Sequence, residues 1–378
     1  AHAEHARTTN QFASNGQGGH LDHPEAFGGE MPRYSAERVM VAAADGQDLA
    51  DIARDYDTKV AQEAGRSGYG SIAVPEGSTP QEFLTQLEAD GAVASAIPDG
   101  IMRAAGACGA FSAKNADRAN PYQWHLDAMG APEAGAIDVS DIVVAVLDSG
   151  VAYLDTADGG VTHVAAASLS QSDIVSAYDF VNDDSHAGDD NQHGTHIASL
   201  IASSGDVEGV ASGAALMPLK VLDADNSGSE LDLVEAIYHA VDEGADIINM
   251  SLSFAPGYMP SDALMTALDY ASDAGVVMVG AAGNNGADRV SYPAASSLVI
   301  AVGALDADGE LAEYSNVSNR IDVMAPGGDL DADLNEDEVQ DGLIAETILP
   351  GDPSQTSMWM YAGTSQAATV TFDDQVGD

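Results

Sequence analysis

Three short stretches hold residue types that can do nucleophilic chemistry together. Asp148-Ser149-Gly150 closes the apolar, β-branched run Ile142–Leu147. Asn191-Gln192-His193-Gly194-Thr195-His196 opens a small and apolar run of helical character, Ile197–Ala202. Gly363-Thr364-Ser365-Gln366-Ala367-Ala368 lies far downstream. A serine hydroxyl is a weak nucleophile and needs a base within hydrogen-bond reach. An imidazole can take its proton and pass it to a leaving amine; a carboxylate can hold that imidazole in one tautomer and stabilise its cation. Taken alone, the histidine stretch fits equally well a bland alternative, two histidines near a helix start, one solvated and one packed. The His193/His196 pair could also suit zinc, but Gly194 and Thr195 separate the two and the glutamate of a His-Glu-x-x-His motif is missing.

The chain order is Asp, His, Ser. The α/β-hydrolases run Ser, Asp, His with a Gly-x-Ser-x-Gly elbow, which does not surround Ser365, and chymotrypsin-like enzymes run His, Asp, Ser. The three motifs resemble those of the subtilisin-like serine peptidases, the subtilases, over roughly Asn120 to Thr369. The related sedolisin-type peptidases use a glutamate where His193 stands, so they fit less well. The resemblance implies Ser365 as nucleophile, His193 as general base and Asp148 as its orienting carboxylate. It also implies that Asn284, in Ala281-Ala282-Gly283-Asn284, donates its amide to an oxyanion; without it, Asn284-Asn285-Gly286 reads as a turn. Ser251, Leu252 and Ser253 stand where the family lines its first specificity pocket, Ser253 replacing a glycine. Polypeptide substrates would then bind as an added strand. The family commonly carries structural Ca2+, and Asp333, Asn335, Asp337 and Asp341 are candidate ligands, oxygen donors at alternate positions and one further on. The alternative there is a solvated acidic loop. Asp179, Asp183, Asp184 and Asp189 form a weaker acidic cluster.

Composition narrows the partners. The 378 residues include 61 acidic and 12 basic ones, a formal charge of −49. This argues against nucleic acid and anionic membrane, both of which need positive charge. Salt would relieve the self-repulsion, since the Debye length falls from about 10 Å at 0.1 M to about 3 Å at 1 M. A salt-adapted protein is therefore expected. Cys108 is the single cysteine, so no internal disulfide can form. No run reaches the length of a membrane span. Secretion is implied by the resemblance alone, and a monomer is expected.

The elements that must position the candidate residues form an alternating series. Near-continuous apolar runs at Ile142–Leu147, Ile174–Phe180, Ala215–Val221, Ile247–Ser251, Val276–Ala281 and Val299–Gly303 predict parallel strands buried on both faces. Helices are predicted over His193–Ser203, Ser229–Glu243 and Ser261–Ala274. The fold class expected is α/β, a three-layer subtilisin-like domain over 120–378 with its ligand site beyond the carboxyl ends of the strands. Before it, residues 38–104 read as a small α+β unit. Its strands are Val39–Ala42, Tyr69–Val74 and Val93–Ile97; its helices are Asp48–Ala64 and one starting at Thr79-Pro80. Size and position resemble the inhibitory propeptide of subtilases, which assists folding, covers the cleft and is cut off by the enzyme itself. Residues 1–37 read as a disordered leader, and 105–119 as an exposed linker in which that self-cleavage is expected.

The sequence departs from the family pattern after the serine. Gln366 stands where methionine is usual, and Thr369-Val370 where Pro-His is. The helix carrying Ser365 is expected to span about two turns, and the domain to be incomplete at its C-terminus. Two further classes remain open: a catalytically silent fragment whose first unit acts as an inhibitor or folding module, and a calcium-bound binding module.

Overall fold

The computed structural model describes residues 32–109, 122–130, 138–158, 161–334 and 339–371. The first unit comprises β1 (Tyr34–Ala43), α1 (Leu49–Asp55), β2 (Val60–Gln62), β3 (Gly70–Ala73), α2 (Pro80–Glu88) and β4 (Val93–Ala104). Local chemistry starts both helices. Asp48 accepts the Ala50 N–H, and Thr79 with Glu82 forms a reciprocal capping box ahead of Pro80. Alternation along β1 divides its side chains. Val39 and Val41 join Leu49, Ile52, Phe83, Leu84 and Leu87 in the unit's own core, while Met40 faces the other way.

Next come β5 (Ala107–Gly109), α3 (Trp124–Met129), β6 (Val143–Asp148), the hairpin β7 (Thr156–Asp158) and β8 (Val161–His163), and β9 (Tyr178–Asp179). Then follow α4 (His193–Ala202), β10 (Ala215–Lys220), β11 (Ser227–Ser229), α5 (Glu230–Asp242), β12 (Ile247–Met250), β13 (Leu252–Phe254) and α6 (Asp262–Asp273). The chain continues through β14 (Val277–Ala281), β15 (Ile300–Leu305), β16 (Val323–Pro326), β17 (Leu343–Leu349), β18 (Asp352–Ala362) and α7 (Thr364–Val370). Seven of these strands make a parallel sheet in the order β16-β15-β14-β12-β6-β10-β9. Successive residues of β6 point to opposite layers. Val144 and Val146 pack with α4 and α7, and Ala145 and Leu147 pack with α5 and α6. The three-layer α/β expectation therefore holds.

Three expectations about the elements need correction. The helix expected over Asp48–Ala64 ends at Asp55, because Asp57 takes a positive φ and Val60–Gln62 pairs with β3. The strand expected over Ile174–Phe180 shrinks to Tyr178–Asp179 with an isolated bridge at Ile174, Ser176 breaking it at φ 44°. The stretch read as an exposed linker begins with Ala105 buried and Ala107–Gly109 paired as a strand. The rest of that stretch, and the leader as far as residue 31, lie outside the described residues. No helix among the described residues is long and apolar enough to cross a membrane.

β4 belongs to two sheets. Its first part pairs with β1; its last residues run antiparallel between β11 and β13. Met40 and Met102 of the first unit lie in the same apolar layer as α5 and α6. Burying a side chain of this size is worth roughly 1.5–3 kcal/mol. Met40→Asp would instead bury an unpaired carboxylate there, at a cost of several kcal/mol. Hydrogen exchange should then quicken at the Ile101–Ala104 amides and stay slow in β1 and β3, whose core Met40 does not enter. Unchanged protection at 101–104 would contradict this docking.

Candidate active site

β6 delivers Asp148 to the carboxyl edge of the sheet, where β12 and β10 flank it on either side. His193 is the first residue of α4. Its Nδ1 lies 2.8 Å from Asp148 Oδ1 and 2.9 Å from Oδ2, and both side chains are buried. The close approach depends on glycine. A β-carbon on Gly194 would collide with the Gly150 carbonyl oxygen, and Gly150 itself adopts φ 103°.

Asp189 ties these pieces together. One carboxylate oxygen accepts from Ser149 Oγ and the Asn191 and Gln192 N–H groups; the other accepts from the Thr195 N–H and hydroxyl. It caps the start of α4 and pins it to the residue after Asp148. Sequence reasoning had only counted Asp189 within an acidic cluster. Its spacing, four residues before His193 at a helix start, was the available signal. Behind it, buried Lys220 donates to the Ser149 and Leu222 carbonyls and to Asp190.

His196 does a different job. Its Nε2 sits 3.1 and 3.2 Å from the Leu343 and Trp359 carbonyls, and its ring lies against Tyr361. Burial pushes its pKa down to about 3, so the ring is neutral and packed.

Ser365, the second residue of α7, brings its hydroxyl to the same edge. Its Oγ donates to the Ser251 carbonyl at 2.8 Å. The short helix is braced where its intrinsic stability is low: Thr369 Oγ1 and Ser251 Oγ both donate to the Ser365 carbonyl, and Asn249 donates to Ser251. Asn284 accepts from the Thr364 N–H and hydroxyl through Oδ1. Its Nδ2 is buried and has no hydrogen-bond partner among the described residues; the same holds for His193 Nε2. Among the described residues, then, neither His193 Nε2 nor Asn284 Nδ2 is hydrogen-bonded to Ser365 Oγ, which is turned to the Ser251 carbonyl instead.

The cleft holds a segment of the chain itself. Leu252, Ser253 and Phe254 of β13 pair with Ala104, Arg103 and Met102, and Ser227, Gly228 and Ser229 of β11 pair with Arg103, Met102 and Ile101. The Ala105 N–H then donates to the Ser251 carbonyl, and the Ser365 N–H donates to the Ala105 carbonyl at 3.0 Å. A β-carbon on Gly106 would stand 3.1 Å from His193 Nε2. Beyond it, Ala107–Gly109 pairs with β18. The expected pocket residues Ser251, Leu252 and Ser253 thus all meet this strand.

Of the expected calcium ligands, Asp333 and Asp341 are described; Asn335 and Asp337 lie outside the described residues. Asp341 is buried and accepts the Leu334 N–H, which commits one oxygen to its own loop. Among the described residues no group of three or more His, Cys, Asp or Glu is placed to hold a metal ion. In the acidic cluster, Asp179 bonds Asn182, Asp183 bonds Tyr178 and Asp184 bonds the His186 N–H, so these carboxylates serve local turns.

Gly194→Ala would force α4 off Gly150 and shift His193 from the serine. A displacement near 1 Å costs about a hundredfold in rate. Labelling of Ser365 by a fluorophosphonate should slow by about that factor with the circular dichroism unchanged; equal labelling would contradict the role given to this contact.

Residues 139–371 match the model of the subtilase family, Peptidase_S8. The chain is 35% identical over 214 residues to subtilisin DY of Bacillus licheniformis, covering 55% of this chain and 72% of that one. It is 37% identical over 191 residues to a thermophilic serine proteinase of Bacillus sp. (strain AK1), covering 50% of this chain but 44% of that one. With the major intracellular serine protease of Bacillus subtilis it shares 38% over 212 residues, 52% of this chain and 62% of the relative. Among solved structures, fervidolysin of Fervidobacterium pennivorans has the same fold at a TM-score of 0.67 and 24% identity, over 90% of this chain and 54% of that one. With its matched region reaching from ahead of β6 to the end of α7, the chain belongs to the subtilase family.

Proposed function

We propose that the chain is the self-inhibited precursor of a serine endopeptidase, that Asp148, His193 and Ser365 carry its chemistry, and that it splits its own Ala105–Gly106 bond. One observation carries the reading: the Ala105 carbonyl accepts the Ser365 N–H while the chain continues past His193. A peptide bond held in this way is where a hydrolase would cut.

In this mechanism the Ser365 hydroxyl leaves the Ser251 carbonyl by rotation about its Cα–Cβ bond and turns to His193 Nε2. Oγ attacks the Ala105 carbonyl carbon as Nε2 takes the proton, and Asp148 steadies the resulting imidazolium. The Ser365 N–H and the Asn284 amide stabilise the oxyanion. A donor of Asn284's kind is worth about 2.7–4 kcal/mol, a value drawn from subtilisin, a member of this family. The C–N bond breaks, Gly106 leaves as an amine with the proton from His193, and water later releases Ala105 from the serine by the same steps. Residues up to Ala105 then remain as a bound product strand. In the same reading, foreign polypeptides enter once that strand leaves, and the working enzyme is an exported monomer. The salt of its surroundings screens the −49 charge.

Fluorophosphonate should label the chain at Ser365, and Ser365→Ala should remove both the label and the cleavage. Labelling that survives Ser365→Ala would overturn the proposal.

Release of the first unit should depend on pH. Asp99 of β4 is buried with Arg38 Nε at 2.7 Å, facing Glu230 and Asp232 at the start of α5. Burial pushes its pKa up to about 7, with Arg38 opposing and the two carboxylates adding to the rise. Burial raises Glu230 and Asp232 as well. In the free unit Asp99 would titrate near the ordinary carboxylate value, so docking takes up a proton between about pH 4 and 7. Docking is therefore strongest in acid. The dissociation constant of the cleaved complex should rise by up to about tenfold per pH unit across that window, then level off. Asp99→Asn should flatten the slope; tighter binding at higher pH would contradict it.

A further inference from the structure

We propose that Gln366 makes the subsite just past the scissile bond selective for a small hydroxyl side chain, serine above all. This rests on the peptidase reading above. Gln366 follows the nucleophile and is fully buried. Neither its Nε2 nor its Oε1 has a hydrogen-bond partner among the described residues. Its position relative to the strand in the cleft says what could satisfy it. Oε1 lies 3.1 Å from where a β-carbon on Gly106 would stand and 2.8 Å from where one on Gly363 would stand. The amide therefore borders the first residue of the leaving fragment.

A buried amide without a partner is costly, and a hydroxyl both donates and accepts. One serine side chain on the leaving fragment can give its proton to Oε1 or take one from Nε2. Alanine brings the same β-carbon and satisfies neither. Size is limited by the other wall. The same β-carbon position is 3.1 Å from His193 Nε2 and 3.3 Å from Cδ2, so a small side chain needs a shift of a few tenths of an ångström. A branched one would displace the imidazole. The chain's own junction, with glycine at 106, meets the size limit but leaves the amide unpaired, so it is a slow substrate of its own site.

The test uses the full chain carrying Gly106→Ser, Gly106→Ala or Gly106→Val, each with and without Gln366→Met. The rate of splitting between residues 105 and 106 is read by intact mass, and ratios are taken within each background. Serine should outpace alanine about tenfold, with valine slowest. In the Gln366→Met background the serine-to-alanine ratio should fall to about one. Equal rates for serine and alanine beside the native glutamine would overturn the inference, whether or not Gln366→Met folds. A ratio that persists in folded Gln366→Met would also overturn it. Splitting in none of the chains would overturn the peptidase reading and take this inference with it.

Discussion

Two short strand edges that need a partner organise this molecule. β11 and β13 lie on either side of a cleft, and each offers main-chain groups that would otherwise be left without a strand. The end of β4 fills both edges at once. Because a strand's register fixes every residue along it, pairing Met102 with Gly228 and Phe254 also decides which peptide bond reaches the serine. Two residues after Arg103 the Ala105 carbonyl meets the Ser365 N–H. In the proposed reading, docking of the first unit, silence of the site and choice of bond all follow from one set of main-chain hydrogen bonds.

The polar groups at the sheet edge are fixed by backbone rather than by side-chain packing. Asp148 ends a buried strand; His193 starts a buried helix; the glycines between them let the two backbones touch. Asp189 then converts three loose ends, the turn after β6, the loop before α4 and the first turn of α4, into one rigid corner. Ser365 comes from a helix of seven residues, too short to be stable alone, and is held by hydroxyls from Ser251 and Thr369. These bonds hold the Ser365 backbone although the residues after the motif depart from the family pattern, while its hydroxyl is bonded to the Ser251 carbonyl.

Much of this was legible in the sequence, and what was not has identifiable causes. The apolar runs around Val144, Leu216, Ile248 and Val279 read as buried parallel strands because both faces are covered. Asp148, His193 and Ser365 stood out because short rigid motifs leave their mark on the residues beside them, as Gly194 does. The first helix was drawn too long because Val60 falls on the helical stripe, yet Val60 belongs to a strand set by its partner Ile72, which periodicity cannot see. The small and polar stretch 105–119 looked like an exposed linker. Its first two residues, Ala105 and Gly106, are small because they pass through a narrow cleft: an added β-carbon would be crowded at Gly106 and at Gly363 beside it. The long β17–β18 hairpin escaped notice altogether, its Glu346 spent on the Ala167 and Ser168 N–H groups, a contact between residues far apart in the chain.

The central claim is that a strand of the chain lies in the cleft in substrate register with the Ala105–Gly106 bond at the serine. The most direct measurement is the N-terminal residue of the larger fragment formed when the full chain is incubated in high salt. The account predicts that this fragment begins at Gly106. A fragment that begins within residues 110–119, or no fragment at all while Ser365 still reacts with a fluorophosphonate, would contradict it.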